Sequence, residues 1–142
     1  MYDINYWAVI VSAIAFFVLG SFWYTDVLFG KAWRNSMGKT DEEFGKERVN
    51  TSMPKSFGLM FLGSLLMAFV MAHLVDLMAV VYPDSGNVEL GLMTGFWVWF
   101  GYIASYVLTA VAFENRPWKY YFINTGYWLF GALIMGVILT AW

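Results

Sequence analysis

Long apolar runs separated by short polar breaks dominate the chain. Four runs, 6–29, 57–81, 90–113 and 118–142, each reach the length needed to cross a bilayer as a helix, which takes about 20 mostly apolar residues. Pro54 and Pro83 bracket the second run, and Pro117 opens the fourth. Proline is tolerated in a first helical turn because its missing N–H would have no partner there. The first run has no Lys or Arg ahead of it. It is also longer than the apolar stretch of a cleaved leader, about 7–15 residues, and so reads as a span. The pattern predicts an all-α integral membrane four-helix bundle. It forms one transmembrane domain, 1–142, with a single sizeable polar loop at 30–56.

Within that loop, Thr40 and Glu43 have the spacing of a capping box, so a short helix is expected to begin at Thr40. Glu42 and Lys46 stand four apart and support the same helix. The plainer reading of these charges is a solvated, interfacial helix without chemistry.

Composition agrees with a membrane protein. The 142 residues are 61% hydrophobic and only 13% charged, against about 25% charged in soluble domains. Mean hydropathy is positive. Charge is distributed unevenly. All eight basic residues, Lys31, Arg34, Lys39, Lys46, Arg48, Lys55, Arg116 and Lys119, follow the first run or surround the turn between the third and fourth. The bias of Lys and Arg towards cytoplasmic loops then places both basic segments in the cytoplasm and both termini outside, in a cytoplasmic (inner) membrane. Trp7, Trp33, Trp118 and Trp142 fall where the interfaces are expected, a level that indole rings favour. No basic patch of the kind nucleic acid needs is evident, so the expected partners are the lipid bilayer and further copies of the chain.

Two internal similarities suggest tandem helical hairpins. Ser21, Thr25, Val27 and Phe29 align with Ser105, Thr109, Val111 and Phe113, and "GSLLMAFV" from Gly63 aligns with "GALIMGVI" from Gly131. The two hairpins would be related by an axis along the membrane normal. Chance matching between apolar strings is the competing explanation.

Lipid tails offer no hydrophobic drive for helix association, so small residues should mark helix contacts. Candidate rows are Ser64, Ala68 and Ala72, then Gly91 and Gly95, then Ala132 and Gly136. Four helices leave little interior room, and a large pathway would need several copies of the chain.

Polar groups inside the spans are the candidate chemistry. His73 and Asp76 share one face of the second span, as a proton or ion site or as a mutually bonded pair near the interface. Asp26 finds no partner on its own preceding turn. Asn124 lies about two turns inside the fourth span, and lipid cannot satisfy its amide. Asn124, Tyr127, Glu114 and Tyr24 are expected to form one network, as a structural clamp or a ligand site. In the ligand reading, Lys31 and Arg116 meet an anionic group, Glu114 and Asn124 orient it, and Trp23 and Tyr24 form an apolar wall.

Catalytic signatures are missing. There is no cysteine, one histidine, no nucleophile elbow and no phosphate-binding glycine loop. Neither a metal nor another cofactor is expected. A lipid-modifying enzyme with Glu114 as base remains a third reading beside the ligand-binding bundle and the structural subunit.

The strings "LGSFWYTDVLFGKAW", "MPKSFGLMFLGSLLMA" and "FENRPWKYYFINTGYWLFGALIMGVI" together resemble the DUF1761 family of small bacterial membrane proteins. The resemblance implies a multi-pass fold and no defined activity. Its matching positions are Trp23, Tyr24, Phe29, Gly30, Lys31, Trp33, Phe113, Glu114, Arg116, Pro117, Asn124, Gly126 and Tyr127. The His73–Asp76 pair stands outside it.

Overall fold

The computed structural model describes residues 4–142, and its described residues are helical throughout apart from turns and short connections. The elements are α1 (Tyr6–Trp23), α2 (Gly30–Ser36), α3 (Asp41–Val49), α4 (Met53–Val81), α5 (Asn87–Val98), a π-helical segment (Trp99–Ala104), α6 (Ser105–Phe113) and α7 (Trp118–Ala141). Among the described residues, four helices are long and apolar enough to cross a membrane: α1, α4, the continuous run Asn87–Phe113, and α7.

The side chain of Asn5 caps α1 by accepting from the Trp7 and Ala8 amides at 3.0 and 3.2 Å. The helix ends at Trp23, six residues short of the run that hydrophobicity alone marks. Val27, Leu28 and Phe29 are apolar but lie in a turn. Here the Thr25 hydroxyl donates to the Phe22 carbonyl at 2.7 Å, and the amides of Leu28 and Gly30 both donate to the Thr25 carbonyl. Such side-chain and turn bonds give the backbone an alternative to the helical ladder. Gly30 makes the corner possible. A Cβ there would stand 2.8 Å from the Thr25 carbonyl carbon and oxygen, closer than any side chain tolerates.

The 30–56 loop is ordered by α2 and α3. Thr40 and Glu43 make the full capping box, with the Thr40 hydroxyl accepting from the Glu43 amide and the Glu43 carboxylate accepting from the Thr40 amide. Lys46 pairs with Glu42 at 2.7 Å. None of the α3 residues is buried.

The four long helices pack with α1 against α4 and α7, and α5 against α7. All the expected small-residue rows lie at these contacts: Ser64, Ala68 and Ala72 on α4, Gly91 and Gly95 on α5, and Ala132 and Gly136 on α7 are all buried. Backbones meet directly along the α5–α7 seam. A Cβ on Gly91 would lie 2.5 Å from the Gly136 carbonyl oxygen, and one on Gly95 2.5 Å from that of Ala132. Elsewhere Phe16 of α1 fills the space above Gly131, and its ring sits 4.8 Å from Tyr127 and 5.1 Å from Trp128.

The π-helical segment adjusts the third span. Gly91, Gly95 and Trp99 follow a four-residue step, and the next inward residue, Ala104, comes five later. One wider turn thus keeps the inward face in phase. Trp99 Nε1–H donates to the Thr125 carbonyl at 2.7 Å, tying this turn to α7.

The two matched strings differ in local structure. Ser21–Phe29 leaves the helix after Trp23, whereas Ser105–Phe113 is helical throughout. Gly63 meets no neighbour within 4 Å, whereas Gly131 lies under Phe16. What the strings share is the small inward position, Ser64 with Ala132 and Ala68 with Gly136, all four buried.

Candidate functional site

The α1 corner turns Trp23 and Tyr24 towards α7. Trp23 Nε1–H donates to the Ile123 carbonyl at 3.1 Å, and the indole rests beside Gly126, where a Cβ would come within 3.3 Å of the ring. Phe29 and Phe130 flank it at centroid distances of 4.6 and 5.7 Å. The Tyr24 hydroxyl donates to Asn124 Oδ1 at 2.8 Å, and its ring meets Tyr127 edge-on at 5.4 Å. Buried Tyr127 donates to the Phe16 carbonyl at 3.4 Å. Three of the four residues expected to form one network, Tyr24, Asn124 and Tyr127, are therefore together. Asn124 Nδ2 is buried and has no hydrogen-bond partner among the described residues.

Glu114 is not part of that group. It sits exposed at the α6–α7 corner and pairs at 3.6 Å with Arg116. The corner is formed by Asn115 in the left-handed region, φ 53°, a conformation that asparagine adopts more readily than most residues. Arg116 reaches the Met37 carbonyl through Nη1–H at 3.4 Å and lies over the Tyr120 ring at 5.5 Å. It links the α6–α7 corner to the end of α2.

Lys31 does not turn inward either. It is exposed on α2, and among the described residues it makes no ion pair. Arg34, one turn later, is the half-buried cation. It pairs with Asp26 at 2.6 Å and with Asp41 at 3.1 Å, supplying the partner that Asp26 lacks on its own helix. The Arg34 hydrogen bond holds the Asp26 carboxyl below its ordinary pKa, and the Asp26 carboxylate raises Arg34 in turn. The Thr40 amide and hydroxyl likewise lower Glu43.

His73 and Asp76 lie towards the far end of the bundle. No hydrogen bond or ion pair joins them among the described residues. His73 is exposed, with Nδ1 2.8 Å from the Phe69 carbonyl of its own helix and its ring 4.6 Å from that of Phe69. Asp76 is half-buried beside Asn5, Ala8, Ala72 and Trp142.

The largest feature near the Tyr24 group is a cleft of about 530 Å³. Gly20, Ser21 and Tyr24 of the α1 end form one wall, and Met53, Ser56, Phe57 and Met60 of α4 form another. Trp33 and Arg34 of α2 and Phe44, Glu47, Arg48 and Thr51 from α3 and its end complete it. The lining is predominantly apolar. Trp33 stands edge-on to Tyr24 at 5.1 Å and to Phe44 at 5.8 Å. Its Nε1 is buried with no acceptor among the described residues.

Sequence reasoning passed over Trp33, Arg34, Phe44, Arg48 and Met60 as site residues. A signal for two of them was present. A helix opened by Thr40 and Glu43 puts Phe44 and Arg48 one turn apart on the same face, and both line the cleft. Among the described residues, no group of three or more His, Cys, Asp or Glu side chains is placed to hold a metal.

No curated protein and no solved structure matches the chain. The family model described as "Protein of unknown function (DUF1761)" matches residues 7–140, nearly the whole length, and the chain belongs to that family.

Proposed function

We propose that this multi-pass protein binds a small amphipathic ligand at the loop end of its helical bundle. The supporting observation is the cleft of about 530 Å³ beside the Tyr24–Asn124 pair. Small-molecule sites are mostly apolar clefts of about 300–1,000 Å³ with a few placed polar groups. Three buried donors at this end, Trp33 Nε1, Asn124 Nδ2 and Arg116 Nε, lack hydrogen-bond partners among the described residues, and unpaired buried donors are rare in native proteins. The charge distribution supports a cytoplasmic position for the cleft, with both termini outside, in the cytoplasmic membrane. Homo-oligomerisation is the accompanying proposal: the third span is the least covered of the four, and Gly101, Ser105 and Thr109 form a small-residue row on its exposed side.

The test is a density map of the purified protein in lipid nanodiscs. Non-protein density between Trp33 and Met60 is the expected result. A cleft closed by its own side chains would refute the reading.

A second reading, a structural or assembly subunit, draws on the bonds from Trp23 to Ile123 and from Tyr24 to Asn124, which clamp α1 to α7. The third reading, lipid-modifying chemistry with Glu114 as base, finds Arg116 and no nucleophile paired with that carboxylate among the described residues.

A further inference from the structure

The charges around the cleft are unequally matched. Arg34 is engaged by two carboxylates, Asp26 and Asp41. The Glu47 carboxylate accepts from Lys39 at 2.6 Å. Among the described residues, Arg48 makes no ion pair and Trp33 Nε1 has no acceptor. What the cleft offers is therefore donors: the exposed Arg48 guanidinium and, behind its wall, the buried Trp33 indole N–H. The one carboxylate on its lining is already paired. A cationic headgroup would meet Arg48 and Arg34 with no free counter-charge, whereas an anionic oxygen would find charge-assisted donors.

The remaining surface asks for hydrocarbon. Gly20, Tyr24, Phe57 and Met60 lie between the ends of α1 and α4. They sit at the boundary between helices that could cross the membrane and the polar α3. The cleft's volume falls in the range that encloses a small ligand. One chain fits such a space, and a second would have to remain in the surrounding lipid.

We propose that the cleft takes an anionic single-chain amphiphile, its headgroup oxygen on Arg48 and Trp33 and its chain against Phe57 and Met60. The inference rests on the preceding reading of the cleft as a ligand site and adds the chemical class. A fatty carboxylate and an alkyl phosphate share that chemistry.

The experiment uses the full chain in zwitterionic nanodiscs, photolabelled with diazirine-tailed probes of one chain length. The heads are carboxylate, phosphate, alcohol and trimethylammonium, and labelled residues are mapped by mass spectrometry. The two anionic probes should label the Phe57–Met60 segment, and their relative yields report which head is preferred. Arg48→Gln should weaken that labelling about tenfold, the loss expected for a charge-assisted hydrogen bond. Trp33→Phe keeps an aromatic side chain, though a smaller one than indole, removes the N–H and should weaken it about fivefold. Ser21→Trp, which fills the cleft from its rim, should abolish labelling while the unfolding midpoint stays near that of the parent. Equal labelling by the alcohol or the trimethylammonium probe would overturn the anionic class and leave the cleft a ligand site. Competition by inorganic phosphate as effective as that by the unlabelled alkyl phosphate would overturn the role of the chain. No labelling of the cleft by any probe would overturn both this inference and the reading beneath it.

Discussion

The α5–α7 seam and the α1–α4 cleft are both contacts between long helices, yet they are built from opposite materials. At the seam, Gly91 meets Gly136 and Gly95 meets Ala132 at backbone distance, with the small Thr140 hydroxyl packed beside Gly91. At the cleft, Tyr24, Trp33, Phe57 and Met60 hold the elements apart and leave about 530 Å³ between them. Small residues let helices close in a solvent without a hydrophobic drive. Large ones at helix ends prop them open. The seam reads as scaffold and the cleft as the place where something else can enter.

The largest expected effect comes from spoiling the seam. Gly91→Ala places a Cβ 2.5 Å from the Gly136 carbonyl oxygen, a backbone contact that only helix separation relieves. Overpacking of that kind costs about 1–3 kcal/mol or more. Gly91→Leu should prevent recovery of folded protein. Gly63→Ala, with no neighbour within 4 Å, should be harmless or stabilise by up to about 1 kcal/mol. Thermal unfolding in detergent compares them, and equal midpoints for Gly63→Ala and Gly91→Ala would dissolve the contrast.

Next is the Tyr24–Asn124 pair. Tyr24→Phe removes the donor to Oδ1 and leaves an amide with both ends unsatisfied, a loss of about 1 kcal/mol for an interhelical bond. Asn124→Leu orphans the Tyr24 hydroxyl in the same way, so the double variant Tyr24→Phe/Asn124→Leu, which removes both partners, should cost less than the two single losses added. Strict additivity in that cycle would mean that the two groups do not depend on each other.

Acid separates the two regions more gently. Asp26 and Glu43 both have lowered pKa values, so each adds stability above its unfolded pKa that disappears as pH falls through its folded one. The hydrogen-exchange protection of the α2 and α3 amides, relative to their intrinsic rates at each pH, should fall below about pH 4, the ordinary carboxylate range. Gly91, Gly95, Ala132 and Gly136 carry no titratable side chain, and their amides should stay protected. A uniform fall in protection along the chain would show that the ion pairs do not act locally.

Glu114→Gln should do least. The carboxylate is exposed and 3.6 Å from Arg116, and such pairs contribute about 0–1 kcal/mol. A large loss of stability would put Glu114 back among the residues that hold the bundle together.

Hydrophobic run length was enough to read four long helices, and the small-residue rows announced where they touch. The capping box at Thr40 was legible because both bonds lie within four residues. The site was read less well, for identifiable reasons. Val27, Leu28 and Phe29 are apolar, so run length carries α1 past Trp23; the turn depends on carbonyl bonds from Thr25 and Gly30 that hydropathy does not register. Once α2 exists as a separate helix, its phase decides that Arg34 faces inward and Lys31 outward. Glu114 is taken out of the Tyr24 group by the left-handed Asn115, a single backbone angle. Tyr24 and Asn124 do bond each other, because a polar side chain within a span has few places to go, while Tyr127 meets Tyr24 through its ring and gives its hydroxyl to Phe16.

The most direct test uses the absence of cysteine from the chain. Ser56→Cys reports the cleft wall, and Ser64→Cys, two turns further along α4 and buried, reports the packed interior. A membrane-impermeant maleimide is added to sealed vesicles of each orientation, with and without dodecyl phosphate. The account predicts that Ser56→Cys reacts only from the cytoplasmic side and is protected by the amphiphile, while Ser64→Cys does not react. Reaction of Ser56→Cys from the outer side, or at a rate the amphiphile leaves unchanged, would contradict it.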